Sequence, residues 1–158
     1  MEGWANKIQV KKGDFAEDIV HKYLENKGYI VYKPATEGSH AFDRLAIKGK
    51  RNVIIAEIKA KARLNKFPET GFETKHYKEY RYIRDKHKLP IFIFFVDEML
   101  KEMYGNFLSV LEKNMRTAPW GNQVLFQLSD MKRHLYDLSE DEVLQLKKYS
   151  SRKHDYKN

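Results

Sequence analysis

Two carboxylates, Asp43 and Glu57, and one amine, Lys59, are the residues of this 158-residue chain whose types and spacing can do chemistry. They lie in "AFDRLAIKGKRNVIIAEIK", two extended apolar runs around a Gly-containing basic turn, which is the pattern of a β-hairpin. If the hairpin turns about Lys50, paired positions sum to 100 and Asp43 falls opposite Glu57. Directly opposed side chains have Cβ atoms about 4.5–5.5 Å apart on one face. Carboxylates that close raise one another's pKa unless a cation sits between them. Mg2+ suits that place, since it takes one or two carboxylates plus waters and phosphate oxygens. Lys59 shares the parity of Glu57, so its amine points to the same side. There it can orient a water or neutralise charge developing on a phosphate.

Acid-any-lysine is a short pattern, and it recurs at Glu25, Glu73, Asp130 and Asp155. The copy at Glu57 differs in ending an apolar strand, in facing an Asp across a hairpin, and in leading into the basic stretch "AKARLNK". An ordinary cross-strand ion network at a solvated hairpin end is the competing account. The run Val53, Ile54, Ile55, Ala56 weighs against it, because charges on a covered strand are costly unless paired or metal-bound.

The flanking elements must hold this hairpin. "GDFAEDIVHKYLENKG" reads as a helix, with Phe15, Ile19, Tyr23 and Leu24 at helical spacing, Asp14 as its cap and Gly28 at its end. Residues 1–12 are expected to be loosely held. "YIVYK" reads as a strand, "PATEGSH" as a loop and "FPETG" as a turn. Residues 73–88 read as a helix with Phe72, Tyr77, Tyr80 and Ile83 on its apolar side, and "LPIFIFFVDE" as a strand buried on both faces. Further on, "YGNFLSVL" fits an edge strand or a helix and "NQVLFQLS" a strand. "LSEDEVLQLKKY" is a helix opened by a Ser139/Glu142 capping box. The order helix, strand, strand, strand, helix, strand, then a C-terminal strand and helix, implies an α+β fold with a mixed sheet flanked by helices. No repeat or linker divides residues 13–150, and residues 151–158 read as a frayed basic tail.

Composition narrows the partners. With 30 Lys and Arg against 22 Asp and Glu, the net charge of +8 favours polyanions, nucleic acid first. The longest apolar stretch, residues 90–96, is far short of the roughly 20 residues of a membrane span, and no signal segment opens the chain. No membrane partner and a cytoplasmic location are therefore expected, and zero cysteines exclude disulfides and thiolate metal sites. Between residues 44 and 66 lie eight cations (Arg44, Lys48, Lys50, Arg51, Lys59, Lys61, Arg63, Lys66) and one acid. Counterion release makes such a stretch a salt-sensitive phosphate binder. Lys75 and Lys78 extend it into the following helix, where Tyr77, Tyr80 and Tyr82 either stack on bases or pack in the core. His40, in the loop before Asp43, is either a substrate contact or a histidine satisfied by the backbone.

With these residues in place the chain resembles the PD-(D/E)XK nucleases, in particular the Holliday junction resolvase-like members. The motifs that carry the resemblance are "GDFAE" ending in Glu17, "GSHAFD" ending in Asp43 and "EIK" from Glu57 to Lys59, over roughly residues 13–96. Gly38-Ser39 stands where resolvase-like members carry Gly-Ser, which implies a substrate contact for Ser39. Arg44 departs from the family's usual aliphatic residue; its parity sends it to the other sheet face or toward a phosphate. The Gln found after the Lys in some members is missing, with Tyr77 and Lys78 as the nearest polar substitutes. The resemblance implies a restriction-endonuclease-like fold and metal-dependent hydrolysis of DNA phosphodiesters. Asp43, Glu57 and the Ile58 carbonyl would hold Mg2+, for which Mn2+ would substitute. Lys59 would position the nucleophile, and Glu17 would bind a second metal or a water. Glu17 has a second explanation, since Asp14 and Glu17 fit a capping box.

A structure-specific endonuclease acting on branched DNA, with no small-molecule cofactor, is the reading that follows. A nucleic-acid-binding protein with a vestigial site and an interaction protein with an acidic partner are the alternatives. Cutting of a junction normally needs two active sites, so a homodimer is expected, with Tyr104, Phe107, Trp120 and Phe126 as interface aromatics unless they fold into the core.

Overall fold

The structure is a computed structural model describing residues 7–35 and 41–150. Helix α1 (Ile8–Asn26) leads into β1 (Ile30–Tyr32), β2 (Arg44–Lys48) and β3 (Asn52–Ala60). Strand β4 (Glu69–Glu73), helix α2 (Thr74–His87), β5 (Ile91–Asp97) and β6 (Glu102–Phe107) follow. The remainder is α3 (Leu108–Leu111), β7 (Arg116–Thr117), β8 (Gln123–Gln127), β9 (Lys132–Asp137) and α4 (Glu140–Lys148). Six strands form a mixed sheet in the order β1-β2-β3-β5-β6-β9, and β4-β8-β7 form a second, antiparallel sheet. Only the β3–β5 pair of the main sheet is parallel, so the chain must cross over between them, through β4 and α2.

Strand β5 is buried at every position. Its odd residues, Ile91, Ile93 and Phe95, meet Phe72, Tyr77, Tyr80 and Phe126, while Phe92, Phe94 and Val96 meet Ala16, Ile19 and Val20 of α1 and Leu146 of α4. A strand covered on both faces needs this uninterrupted apolar run. Neighbouring β3 follows the same alternation: Ile55 joins the α2-side core, and Ala56 and Ile58 the α1-side core. Glu57 and Lys59 therefore face the α2 side.

The hairpin register is the one expected. Arg44 pairs with Ala56 and Lys48 with Asn52, around a turn in which Gly49 takes φ 67°. Helix α1 departs from expectation. It starts at Ile8, its N-cap is Lys7, and Asp14 lies in its interior, so the expected start, the loose character of residues 8–12 and the Asp14/Glu17 capping box are all corrected. "FPETG" is not a turn: Glu69–Glu73 is a strand, and Gly71 serves its close approach to β8, where a Cβ would lie 1.8 Å from the Val124 carbonyl oxygen. "YGNFLSVL" turns out to be strand β6 running into α3, and β7 and β9 are strands that the sequence pattern did not reveal. The Ser139/Glu142 capping box is present.

Candidate active site

Strand β2 begins at Arg44 opposite Ala56, whereas β3 continues to Ala60. Beyond that point the ladder is replaced by side chains. The Asp43 amide donates to Glu57 Oε1 at 3.1 Å, and the Ile58 amide donates to Asp43 Oδ2 at 2.8 Å. Ile55 and Lys61 give their amides to Pro90 and Val96 on the β5 side, so even positions of β3 face β2. By that alternation the Ile58 carbonyl also points past the end of β2, away from any ladder partner.

Asp43 is the middle of three acids. Its carboxyl lies between Glu57 and Glu17 of α1, close enough that its charge raises both of theirs. Burial, and then the neighbouring Asp43, hold the Glu57 carboxyl well above its ordinary range, with Lys59 partly opposing. Glu17 is pushed up to about 8, by burial first and then by the charge and hydrogen bond of Asp43, against the pull of Arg44. Such an acid cluster retains protons that a divalent cation would displace. Its donors are all oxygen, which suits a hard cation such as Mg2+ or Mn2+.

Lys59 does not touch Glu57 directly. Its ammonium donates to the Tyr80 hydroxyl at 2.6 Å and lies 4.9 Å from the Phe72 ring centre and 5.0 Å from that of Tyr80. Burial, reinforced by the nearby Glu57 and Asp43 charges, raises the Tyr80 pKa, so the hydroxyl keeps its proton and accepts from Lys59. Tyr80 is the residue that the sequence left undecided between stacking and core. The substitutes expected for the missing Gln are elsewhere: Tyr77 bonds Glu112 at 3.0 Å, and Lys78 is exposed. Tyr82, 60% exposed, is the one tyrosine of the three that reaches solvent.

Arg44 takes the α1 side of the sheet and is buried, which excludes the phosphate contact left open for it. Its Nε donates to His21 Nδ1 at 3.0 Å, and its Nη1 to the Asp43 carbonyl at 2.8 Å and to Glu17 Oε1 at 3.4 Å. With Nδ1 accepting, the His21 proton sits on Nε2, which faces Glu25 at 3.5 Å. Arg44 thus ties α1, and Glu17 with it, to the start of β2.

The basic residues divide into two groups. Lys48, Lys50 and Arg51 sit at the hairpin turn, and from Lys50 to Glu57 the strand runs roughly 20 Å. Lys61, Arg63 and Lys66 leave the site end of β3. Arg63 is anchored there, its amide on Asp97 at 2.8 Å and its Nε on the Leu64 carbonyl at 2.9 Å. Lys75 and Lys78 are exposed on α2. Gly38, Ser39 and His40 lie outside the described residues. Of the four aromatics expected at an interface, Tyr104 and Phe126 are fully buried, Phe107 packs against the α1-side core, and Trp120 is 57% exposed.

A second acidic grouping stands apart from this site. Ligand atoms of Glu102, His134 and Asp137 lie within 4.8 Å of one another, the one group of three or more His, Asp or Glu that does so among the described residues; those of Glu17, Asp43 and Glu57 do not all approach that closely. Buried Glu102 is already paired with the Arg133 guanidinium, and His134 Nδ1 lies 2.6 Å from its other oxygen. The Arg133 guanidinium balances its charge without a metal.

No helix among the described residues is long and apolar enough to cross a membrane. No family model matches the chain, and neither does any curated protein. Solved structures do. The Holliday junction resolvase Hjc of Archaeoglobus fulgidus aligns with a TM-score of 0.57 at 14% identity, over 84% of this chain and 94% of that one. D212, a nuclease from a fusselovirus, aligns at 0.47 and 10% identity, over 93% and 96% of the two chains. The mixed sheet, its flanking helices and the hairpin at its centre are those of a Holliday junction resolvase-like nuclease fold.

Proposed function

We propose that the chain is a divalent-metal-dependent DNA endonuclease acting on branched DNA. The observation that carries this reading is the meeting of Asp43 with Glu57 through the Asp43 and Ile58 amides, with Glu17 tied to the Asp43 carbonyl by Arg44 and Lys59 on the same sheet face as Glu57. Asp43, Glu57 and the Ile58 carbonyl would hold Mg2+ or Mn2+, with Glu17 available to a second ion or a water. A bound ion would polarise the phosphoryl oxygen and stabilise the charge that develops there. Lys59 orients the attacking water and stabilises the phosphoryl charge, and Tyr80 fixes the ammonium for that task. Water adds to phosphorus as the bond to one bridging oxygen breaks.

Lys61, Arg63, Lys66, Lys75 and Lys78 hold DNA phosphates near the site, and Ser39 joins them. Lys48, Lys50 and Arg51, at the far end of the hairpin, meet a more distant part of the substrate. Two sites in a homodimer would allow both strands of a junction to be cut, as the name of the archaeal neighbour suggests. The test is incubation with supercoiled, linear and four-way-junction DNA, in Mg2+ and in EDTA, beside Glu57→Ala. Metal-dependent junction cleavage that the variant lacks supports the reading; DNA retention without cleavage would make the chain a binding protein instead.

A further inference from the structure

Trp120 is half-exposed at the edge of a cleft of about 540 Å³, lined also by Glu73, Thr74, Lys75, Gly121, Asn122 and Gln123. Lone surface aromatics are ordinary, but the turn that carries this one is held in place. The Gly121 amide donates to the Ala118 carbonyl at 2.9 Å and the Ala118 amide to Gln123 at 2.9 Å, closing the β7–β8 turn in which Pro119 precedes the tryptophan. Gly121 and Asn122 take φ 76° and 61°, and the Asn122 carbonyl accepts the Thr74 amide at 2.9 Å, fastening the turn to the start of α2. A backbone fixed in this way lowers the ordering cost of presenting the indole to a ligand.

We propose that this cleft binds one unpaired nucleotide of a DNA strand, its base stacked on Trp120 and its phosphate on Lys75. The inference rests on the nucleic-acid reading of the active site and names a contact that site does not use. Three features select a nucleotide over an apolar ligand. Beside Trp120, the residues that line the cleft include Asn122, Gln123, Glu73 and Thr74, a polar set with donors and acceptors of the kind a base edge takes. Lys75 is exposed at the same place, on a chain of net charge +8. The cleft is also near the chemistry. From Thr74 to Tyr80 the axis of α2 rises about 9 Å, and side chains lean toward the helix N-terminus. That span is two to three stacked nucleotides at about 3.4 Å each. A strand whose phosphate lies at Lys59 can therefore place a base two to three nucleotides away at Trp120.

Trp4 is the only other tryptophan, so the full-length Trp4→Phe protein reports Trp120 emission alone. Titration in EDTA with a 12-nucleotide thymidine oligonucleotide should quench that emission saturably, with a smaller change for a 12-base-pair duplex. In the otherwise unaltered protein Trp120→Ala should weaken oligonucleotide binding by about tenfold or more, the range of one base–aromatic stack, while Trp120→Phe keeps most of it. Both variants should melt close to the parent. The proposal is overturned by an oligonucleotide that does not bind, by binding without quenching, by equal affinity in Trp120→Ala, or by emission that changes with protein concentration alone, which would mark the cleft as a contact between copies. Loss of metal-dependent cleavage by Glu57→Ala is scored separately, so the active-site reading and this one can fail independently.

Discussion

The Lys59 ammonium donates to the Tyr80 hydroxyl at 2.6 Å, and the two share the sheet face that carries Glu57. This link sets where the amine sits beside the carboxylate. Tyr80→Phe keeps the ring that packs on Phe72, 5.5 Å away between centroids, and deletes only the link to Lys59. Cleavage should fall roughly 10- to 100-fold, the usual cost of losing a partner that orients a site group. DNA affinity in EDTA should be unchanged. Single-turnover kinetics beside a retention assay checks the split.

Proton release from the acid cluster makes stability depend on pH. Glu17 moves from 4.5 to about 8 on folding and Glu57 moves in the same direction, so the folded chain holds protons that the unfolded chain has lost. The stability this contributes is complete below about 4.5 and disappears as pH rises through about 8. Without metal the melting temperature should decline from pH 5.5 to pH 9. Added Mg2+ should flatten that decline by taking the place of the protons, which thermal melts at three pH values would show.

Arg44 is buried between α1 and the hairpin, and its guanidinium serves Glu17, His21 and the Asp43 carbonyl together. Arg44→Met leaves the Glu17, His21 and Asp43 acceptors without their shared buried donor, at a cost of about 3 kcal/mol. Urea unfolding at pH 7 measures it. A loss below about 0.5 kcal/mol would show that the pair is no better than a surface bridge.

Two acid-cap patterns in this sequence look alike and differ in the fold. Asp14 lies inside α1, so Asp14→Ala should change stability by less than about 0.5 kcal/mol. Ser139 accepts the Glu142 amide at 3.1 Å while Glu142 accepts the Ser139 amide at 2.8 Å, so Ser139→Ala should cost about 1 kcal/mol. The same unfolding experiment compares them.

The hairpin was legible because its signals agree: apolar runs on both sides of Gly49 admit one register, and that register puts Asp43 at Glu57. β5 was legible for a similar reason, its apolar run having no other place than between two cores. The start of α1 was not, because residues 7–12 are mostly polar and exposed, and Asp14 offers a cap the helix does not use. β4 was hidden by Pro68 and Gly71, residues that signal turns; here the glycine is required by backbone approach to Val124. β9 is an edge strand whose "KRHLYD" has five ionisable residues and no buried position, so no alternation marks it. Tyr80 was missed because burial and site chemistry leave the same trace in a helix: one aromatic on its apolar side.

The central claim is that Asp43 and Glu57 share a divalent ion. Anomalous diffraction from crystals soaked in Mn2+ tests it most directly. A peak within coordination distance of both carboxylates and the Ile58 carbonyl, absent in Glu57→Ala, is the predicted result. A peak only at Glu102, His134 and Asp137, or none in the unaltered protein at saturating Mn2+, would contradict it.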